Sequence, residues 1–386
     1  MKSHEIIPAR LKEAREARAL SMSDLAERID VTRQAISQFE KGVARPSVGT
    51  LYAMSQDLDI PIDYFYSEKR EPTTAQGAIF FRSKKSVLKK VKLSCHYRIE
   101  WLNKIIEYLG RYVDFPEKDL PISKIPNYNE LSNSDVEELA SHLREYWKLG
   151  EAPIDDLVGV LENAGVIVAE FPTSKACTFQ GVDALSQWYE GTPYIMLKDN
   201  VKSAVRVRFS ILHELAHLLL HHSISEEEAQ KPSIVDKADE QADRFAAAFL
   251  LPATTFPNDI RGSSLDALLL VKEKWGVALS TIIRRCRDLK LLSENQINYL
   301  NRQMTIKKYW RNEPLDDVLK VKGPELLRDA VMLLLDNNIV SIDRFVTALG
   351  LSAKEVASFC GLPIDMFQAE LQREKVKLRL VTPAES

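Results

Sequence analysis

Hydrophobic positions along the 386-residue chain follow a helical period over most of its length. Apolar residues recur at helical spacing in residues 7–66, in most of residues 78–150 and in residues 155–165, which is typical of amphipathic helices. The period shortens to that of a strand at Val166–Phe171 and Pro193–Leu197, which are rich in β-branched and aromatic residues. The pattern therefore predicts a mainly α protein with a small β-sheet, an α+β fold.

Two further runs are candidates for strands. Gly181–Trp188 is one, and the turn Tyr189–Thr192 predicts that it forms a hairpin with the strand that follows. Ala78–Phe81 is a short apolar piece at the start of the otherwise helical segment 78–150. We expect the sheet to end immediately before a long helix at about 203–222.

The remainder of the chain is predicted to be helical. A second helix at about 234–250 is ended by Pro252, and residues 263–295 and 314–375 have the pattern of further short helices. Residues 67–77 are polar and charged and contain a proline and a glycine, which makes them the best linker candidate.

Composition narrows the class of protein. The chain is 45% hydrophobic and 28% charged, as in ordinary globular proteins, and its formal net charge of −3 means that any contact with nucleic acid must come from a local arrangement. The sequence has no long apolar stretch, so we expect no membrane segment, no signal peptide and a cytoplasmic protein. The cysteines are scattered and predict a reducing compartment rather than a disulfide framework or a cysteine zinc site: Cys95, Cys177, Cys286 and Cys360.

A metal-binding pattern lies in the long helix. His213 and His217 are four residues apart, so both imidazoles project from one face and can share a cation. Glu214 lies beside them, where it can act as a general base toward water that zinc activates. A bare H-E-x-x-H pattern also occurs in unrelated proteins, but here the helix follows a small sheet, to whose edge an extended substrate strand could add. We therefore predict a Zn²⁺ site.

The third ligand is sought on the helix at 234–250. Asp239 lies at the edge of its apolar face, whereas Glu240 is rotated further toward solvent but has a longer side chain. Both are candidates. Asp243, four residues after Asp239, could orient a ligand through a hydrogen bond. His221 is interpreted as a helix-end residue that caps carbonyl groups.

Residues 10–66 have the pattern of a helix-turn-helix. Ser21 and Asp24 are close to a capping box, Asp30 lies in the turn where a left-handed conformation is needed, and Thr32 caps the second helix. The expected DNA-contacting residues are Thr32, Arg33, Gln34, Ser37, Gln38, Lys41 and Arg45. The alternative is a small helical bundle for protein contacts only, which the slightly acidic local charge favours a little.

This segment resembles the Xre/Cro family of helix-turn-helix domains through L-A-E-R-I-D-V-T-R-Q-A-I-S-Q-F-E-K-G and the Leu51, Ala53 and Leu58 that follow. The family usually has glycine where this chain has Asp30. The resemblance implies binding to a double-stranded DNA operator, and a homodimer is left open.

Residues 155–300 resemble the ImmA/IrrE family of metallo-endopeptidases, through R-F-S-I-L-H-E-L-A-H-L-L-L-H and D-E-Q-A-D-R-F-A-A-A-F-L-L-P. The resemblance implies His213 and His217 as ligands, Glu214 as catalytic base and a transcriptional repressor or other regulatory protein as substrate. The family's third ligand is a glutamate at the position of Asp239, so this chain departs from the pattern and Glu240 stays an alternative.

The expected organisation has five parts. They are a helix-turn-helix domain at 7–66, a linker at 67–77, a helical connecting region at 78–150, a zincin-like ImmA/IrrE peptidase domain at 151–300 and a helical C-terminal region at 301–386. We expect a DNA-binding regulator that cleaves a separate protein, because the intervening helices should hold the linker away from the zinc. The alternative is a transcription factor whose metal domain senses zinc or a partner without cutting.

Overall fold

The computed structural model describes residues 5–68, 77–83, 89–171, 182–198 and 203–367. Within those ranges the chain is mainly helical and contains a four-stranded mixed sheet, as the hydrophobic pattern predicts. Most of the expected linker, Gly181 of one strand candidate and the last part of the C-terminal region lie outside the described residues.

The N-terminal helices have the order expected for a helix-turn-helix. They are α1 (Pro8–Ala17), α2 (Met22–Arg28), α3 (Arg33–Glu40), α4 (Val48–Leu58) and a 3₁₀ turn (Ile62–Tyr66). Ser21 and Asp24 form both bonds of a capping box, at 3.1 and 2.8 Å. Asp30 has a φ of 54°, and the Thr32 hydroxyl accepts the Ala35 N–H at 3.1 Å. Local polar contacts therefore fix both the turn and the start of α3.

The middle of the chain contains the sheet. Its elements are β1 (Phe80–Ser83), α5 (Lys89–Leu109), a 3₁₀ turn (Ile122–Lys124), α6 (Asn133–Tyr146), α7 (Leu157–Asn163), β2 (Ile167–Phe171), β3 (Val182–Tyr189) and β4 (Thr192–Lys198). Glu190 and Gly191, with φ of 48° and 67°, form the two-residue turn between β3 and β4, which confirms the predicted hairpin.

The strand order is β1-β3-β4-β2, with β1, β3 and β4 antiparallel and β2 parallel to β4. The edge strand β1 comes from the segment 78–150, which the sequence analysis treats as a connecting region. That segment therefore contributes a strand to the sheet whose other three strands lie between residues 167 and 198, while the predicted boundary at residue 150 stays a prediction.

The C-terminal half is helical. It contains α8 (Ala204–Leu220), α9 (Pro232–Leu250), α10 (Leu265–Trp275), α11 (Leu279–Asp288), α12 (Glu294–Ile306), α13 (Leu326–Asp336), α14 (Ile342–Leu349), α15 (Ala353–Phe359) and the 3₁₀ turns Glu228–Gln230 and Phe256–Asp259. None of the described helices is long and apolar enough to cross a bilayer.

The sheet separates two apolar cores. On one face, Leu185 and Met196 join a core that also contains buried residues of the helix-turn-helix, α5 and α13–α15. On the other face, Val168 and Ile195 pack into a core built on α6 to α12. Alternation along the strands produces this division, since neighbouring residues of a strand point to opposite faces. The sheet is therefore the layer that separates the core of the helix-turn-helix, α5 and α13–α15 from the core that contains α8.

The helix-turn-helix packs directly on the rest of the chain. Ser94 of α5 donates its hydroxyl to the Ala17 carbonyl at 2.6 Å. The Trp101 indole N–H donates to the Tyr64 hydroxyl at 3.0 Å, and Arg18 pairs with Glu355 of α15 at 3.1 Å. The helix-turn-helix is thus fixed by buried polar contacts to α5 and to the C-terminal region.

Candidate metal centre

Helices α8 and α9 bring three potential metal ligands together. His213, His217 and Asp239 each place one ligand atom so that all three atoms lie within 4.8 Å of one another. The two Nε2 atoms are 3.1 Å apart, and Asp239 Oδ1 lies 3.7 Å from His213 Nε2 and 3.4 Å from His217 Nε2. Ala238 and Ala242 are fully buried, and their small side chains let α9 approach α8 closely enough for an aspartate to reach.

These separations fit a zinc ion. Zinc–nitrogen and zinc–oxygen bonds are about 2.0–2.2 Å long, so two ligand atoms of a tetrahedral site lie roughly 3.3 Å apart. The three separations bracket that value. Glu240, the alternative ligand, is exposed and is not part of the cluster.

Asp243 fixes the orientation of His213. Its Oδ1 lies 2.9 Å from His213 Nδ1, and the guanidinium groups of Arg82 and Arg284 approach the same carboxylate at 3.2 and 2.8 Å. Burial opposes ionisation of Asp243, but the contact with His213 and the two arginines outweigh it and hold its pKa below the usual range. Since the carboxylate can only accept, His213 donates Nδ1–H to it; burial works against the charge of His213, but its contacts with Asp239 and Asp243 raise its pKa.

A chain of hydrogen bonds fixes His217 in the same way. The Gln241 amide nitrogen donates to the Tyr128 carbonyl at 2.9 Å, so its Oε1 must accept from His221 Nε2 at 3.0 Å. Burial, followed by the field of His217, lowers the pKa of His221 well below its usual value, so the ring is neutral and its Nδ1 accepts. The partner at 2.9 Å is His217 Nδ1, which must donate and leave its Nε2 free of a proton.

The interpretation of His221 as a carbonyl cap is wrong. Its two ring nitrogens contact His217 and Gln241, and it is His222 whose Nδ1 lies 2.9 Å from the Leu219 carbonyl. The sequence carried a signal for this, because His221 follows His217 at the same four-residue spacing that relates His217 to His213.

Three potential ligand atoms, two imidazole nitrogens and one carboxylate oxygen, therefore converge on one point. The two Nε2 atoms are 3.1 Å apart with a carboxylate oxygen beside them, so their lone pairs repel one another unless a proton or a metal ion lies between them. Burial works against the charge of Asp239, yet its contacts with His213 and His217 hold the pKa of its carboxyl below the usual range. The arrangement suits a divalent cation with nitrogen and oxygen ligands.

Glu214 lies beside this cluster and is fully buried, with 0% of its surface exposed. Ser186 of β3 donates its hydroxyl to Oε2 at 2.6 Å, while Oε1 has no hydrogen-bond partner among the described residues. A buried carboxylate oxygen without a partner is costly, so this oxygen requires a proton donor that the described residues do not supply. A water molecule meets that requirement.

Strand β1 lies against the cluster. The Phe80 ring stacks on the His217 ring with centroids 4.3 Å apart and planes 7° apart. Gly77, the last residue of the expected linker, donates its N–H to the Trp188 carbonyl at 3.1 Å. Pairing with β3 thus holds the end of the expected linker against the strand that carries Ser186, whereas residues 69–76 lie outside the described residues, so the expectation that helices hold the linker away from the metal position stays a prediction.

The residues expected to contact DNA run from the cap of α3, through the helix, to the segment that follows it. Thr32, Arg33, Gln34, Lys41 and Arg45 are exposed, and Ser37 and Gln38 are partly exposed. Arg45 pairs with Glu5 at 2.6 Å. The side chains at the start of α3 are thus accessible to a groove.

Two family models match the chain. A helix-turn-helix model matches residues 11–65, which contain most of α1 and all of α2 to α4. A model of the IrrE N-terminal-like domain, a metallopeptidase family, matches residues 172–287, which contain α8 and α9.

Three curated bacterial regulators are similar to the N-terminal part. An HTH-type transcriptional regulator of Rickettsia conorii is 39% identical over 75 residues, which is 19% of this chain and 60% of that protein. One of the same description in Rickettsia prowazekii is 39% identical over 75 residues, 19% of this chain and 58% of its own length. A transcriptional regulator in the ATPase CF(0) region of Rhodospirillum rubrum is 41% identical over 59 residues, 15% of this chain and 55% of that protein. The chain thus spans 55–60% of the length of these relatives.

Proposed function

We propose that this chain, which carries an Xre-type helix-turn-helix domain and an IrrE N-terminal-like domain, is a DNA-binding transcriptional regulator and a zinc-dependent endopeptidase. Its substrate would be a repressor or another regulatory protein. One observation carries the enzymatic part: His213, His217 and Asp239 bring three potential ligand atoms within 4.8 Å of one another, and Glu214, next to His213 in the chain, has a buried carboxylate oxygen without a hydrogen-bond partner among the described residues.

Zinc, when bound, polarises a peptide carbonyl and lowers the pKa of water from about 16 to near 7. His213, His217 and Asp239 would hold the ion. Glu214 would accept a proton from the attacking water through Oε1 and return it to the departing amine. Ser186 donates its hydroxyl to Oε2 and keeps that oxygen in place, which leaves Oε1 available to accept the proton.

The positions of His213 and His217 depend on their outer partners. Asp243 holds the first imidazole and His221 the second, each through Nδ1. Such partners fix the tautomer and the ring orientation, and removing one typically reduces metal affinity about 10–100-fold. In this account both are positioning residues, since neither touches the substrate.

The substrate is proposed to be a separate protein. Phe80 presents the flat face of its ring to His217, so a side chain of β1 rather than one of its peptide bonds contacts the ligand. The helix-turn-helix would place the peptidase near repressors bound at the same promoter, which raises their effective concentration. Binding to an operator would use Thr32, Arg33, Gln34, Ser37 and Gln38 for bases, and Lys41 and Arg45 for phosphates.

A second candidate function is a non-proteolytic sensor of zinc or of a partner. The complete burial of Glu214 beneath the sheet favours it, because a sealed carboxylate reaches no substrate in this conformation. Operator affinity measured with and without zinc, together with cleavage of repressors encoded near the gene, separates the two functions. If the protein is a sensor, zinc changes its affinity for the operator and no repressor is cleaved. The peptidase cuts, and Glu214→Gln abolishes the cutting.

A further inference from the structure

We propose that β1 occupies the groove in which a substrate peptide pairs with β3, so that the chain closes its own peptidase centre. A substrate would then be an extended segment that displaces β1, with an aromatic residue in the place of Phe80 and a basic residue in the place of Arg82. This inference rests on the proposed peptidase function and adds its regulation and its substrate class.

The pairing has the geometry of an added peptide strand. Phe80 lies opposite Ser186, Phe81 opposite Leu185 and Arg82 opposite Ala184, all antiparallel. The other edge of β3 is already paired with β4. The edge that β1 covers is therefore the one on which a peptide could pair with β3, and only one strand can pair there at a time.

The side chains of β1 alternate between the two faces. Phe80 and Arg82 point toward α8, as do Ser186 and Ala184 opposite them, whereas Phe81 packs on the first core. Phe80 is only 7% exposed and stacks on His217. The guanidinium of Arg82 lies 4.7 Å from the centre of the Phe209 ring and 3.2 Å from the Asp243 carboxylate. These contacts define an aromatic position and a cationic position, two residues apart.

Both positions border the catalytic groups. Ser186, which faces Phe80 across the pairing, donates to Glu214, and Asp243, which holds Arg82, also orients His213. A peptide bond can be hydrolysed only if it reaches the space beside Glu214 and the ligands. Phe80 stacks on His217 and Arg82 contacts Asp243, so a substrate strand paired with β3 can reach these groups only when β1 has left.

Displacement is a competition between a strand of the same chain and a strand in solution. An attached strand acts at an effective concentration in the millimolar range, so a free peptide binds weakly until β1 is weakened. The side chains that hold β1, Phe80 and Arg82, are the ones to remove. A Phe80→Ala/Arg82→Ala variant of the full chain should leave the groove open.

The experiment measures binding of a fluorescein-labelled peptide with the sequence of residues 77–83. Every protein carries Glu214→Gln and is loaded with zinc, so that nothing is cut. We expect the Phe80→Ala/Arg82→Ala variant to bind this peptide at least tenfold more tightly than the protein with β1 intact. A control peptide with alanine at both positions should bind the same variant at least tenfold more weakly.

A second test uses a reversible lock. Phe81 and Leu185 face each other away from the catalytic groups, and directly opposite residues of an antiparallel pair have the separation that a disulfide requires. In the Phe81→Cys/Leu185→Cys variant, millimolar peptide should bind the reduced form and not the oxidised form. The reduced form is the matched control, and the test does not need the Phe80→Ala/Arg82→Ala variant to fold.

The outcomes separate this inference from the proposed function. The inference would be overturned if the peptide bound equally to the oxidised and the reduced Phe81→Cys/Leu185→Cys protein. It would also be overturned if the peptide bound neither the reduced form nor the Phe80→Ala/Arg82→Ala variant. Either result would show that β1 is a permanent part of the sheet. The proposed peptidase function would still be supported in that case if the protein with intact Glu214 cleaved a repressor. Conversely, peptide exchange without any cleavage would support the groove and count against the enzyme.

Discussion

His217 and His221 approach each other through their Nδ1 atoms, 2.9 Å apart, and the direction of this hydrogen bond decides which nitrogen of His217 faces the metal position. Because Gln241 makes His221 the acceptor, His217 keeps its proton on Nδ1. A residue outside the H-E-x-x-H pattern thus sets the tautomer of a histidine within it.

The first prediction concerns this contact. His221→Leu should lower zinc affinity about 10–100-fold, because His217 loses the acceptor that fixes its tautomer. His221→Gln supplies an amide oxygen as acceptor and should recover much of the lost affinity. If His221 only filled space, the leucine and glutamine variants would have the same zinc affinity. Competition with a chromophoric chelator measures both. His222→Ala is the control, and a His221→Leu affinity equal to wild type would contradict the account.

Metal content tests the ligand set. The purified protein should carry about one zinc per chain, and His213→Ala or Asp239→Ala should lose most of it, because three protein ligands are the usual minimum for a zinc site with an open position. Glu240→Ala, which changes the exposed neighbour of Asp239, should retain the metal. Elemental analysis decides, and unchanged zinc in His213→Ala would show that the ion is bound elsewhere.

DNA recognition is tested at the start of α3. Arg33→Ala or Gln34→Ala should weaken binding to a specific operator more than to random duplex, since each base contact contributes about 1–3 kcal/mol of discrimination. Lys41→Ala should weaken both alike and reduce the salt dependence. Fluorescence anisotropy on the two duplexes measures this. An equal loss on both for Arg33→Ala would place that side chain on phosphates.

A pH dependence is expected where the peptidase domain meets the C-terminal region. Glu162 accepts backbone N–H groups of Glu325 and Leu326 at 3.1–3.3 Å, and burial raises its pKa to about 7. Glu162 therefore holds its proton more tightly in the folded state than in the unfolded state. Its contribution to the free energy of unfolding is fully present below pH 4.5 and is lost as the pH rises to about 7.

The glutamine in Glu162→Gln does not titrate, so this variant should not lose the stability that wild type loses between pH 4.5 and 7. The free energy of unfolding of the variant should therefore rise relative to that of wild type by about 1–3 kcal/mol over this window. Urea unfolding at several pH values measures the difference. A constant difference across this window would show that Glu162 has the same pKa in the folded and unfolded states.

The sequence predicted the elements that depend on local signals. The capping box of Ser21 and Asp24, the left-handed Asp30 and the β3–β4 turn all follow from nearby residues, and each was found. The four-residue spacing of His213 and His217 likewise places both on one helical face.

What the sequence did not predict depends on contacts between distant residues. The pairing of Phe80 with Ser186 joins positions more than a hundred residues apart, and no periodicity encodes it. The sequence named Asp239 with Glu240 as the alternative, and only the rotation and distance of α9 relative to α8 group Asp239 with the two histidines. The bond between Arg18 and Glu355 required the C-terminal region, for which the sequence suggested no role.

The central claim is that Glu214 acts as the base of a zinc peptidase. The most direct measurement is the intact mass of a purified helix-turn-helix repressor, encoded near the gene, after incubation with the zinc-loaded chain. We expect two fragments from the wild-type protein, with masses that sum to that of the repressor plus one water, and no fragments from Glu214→Gln, which keeps the zinc. Cleavage by Glu214→Gln at a rate close to wild type would contradict it.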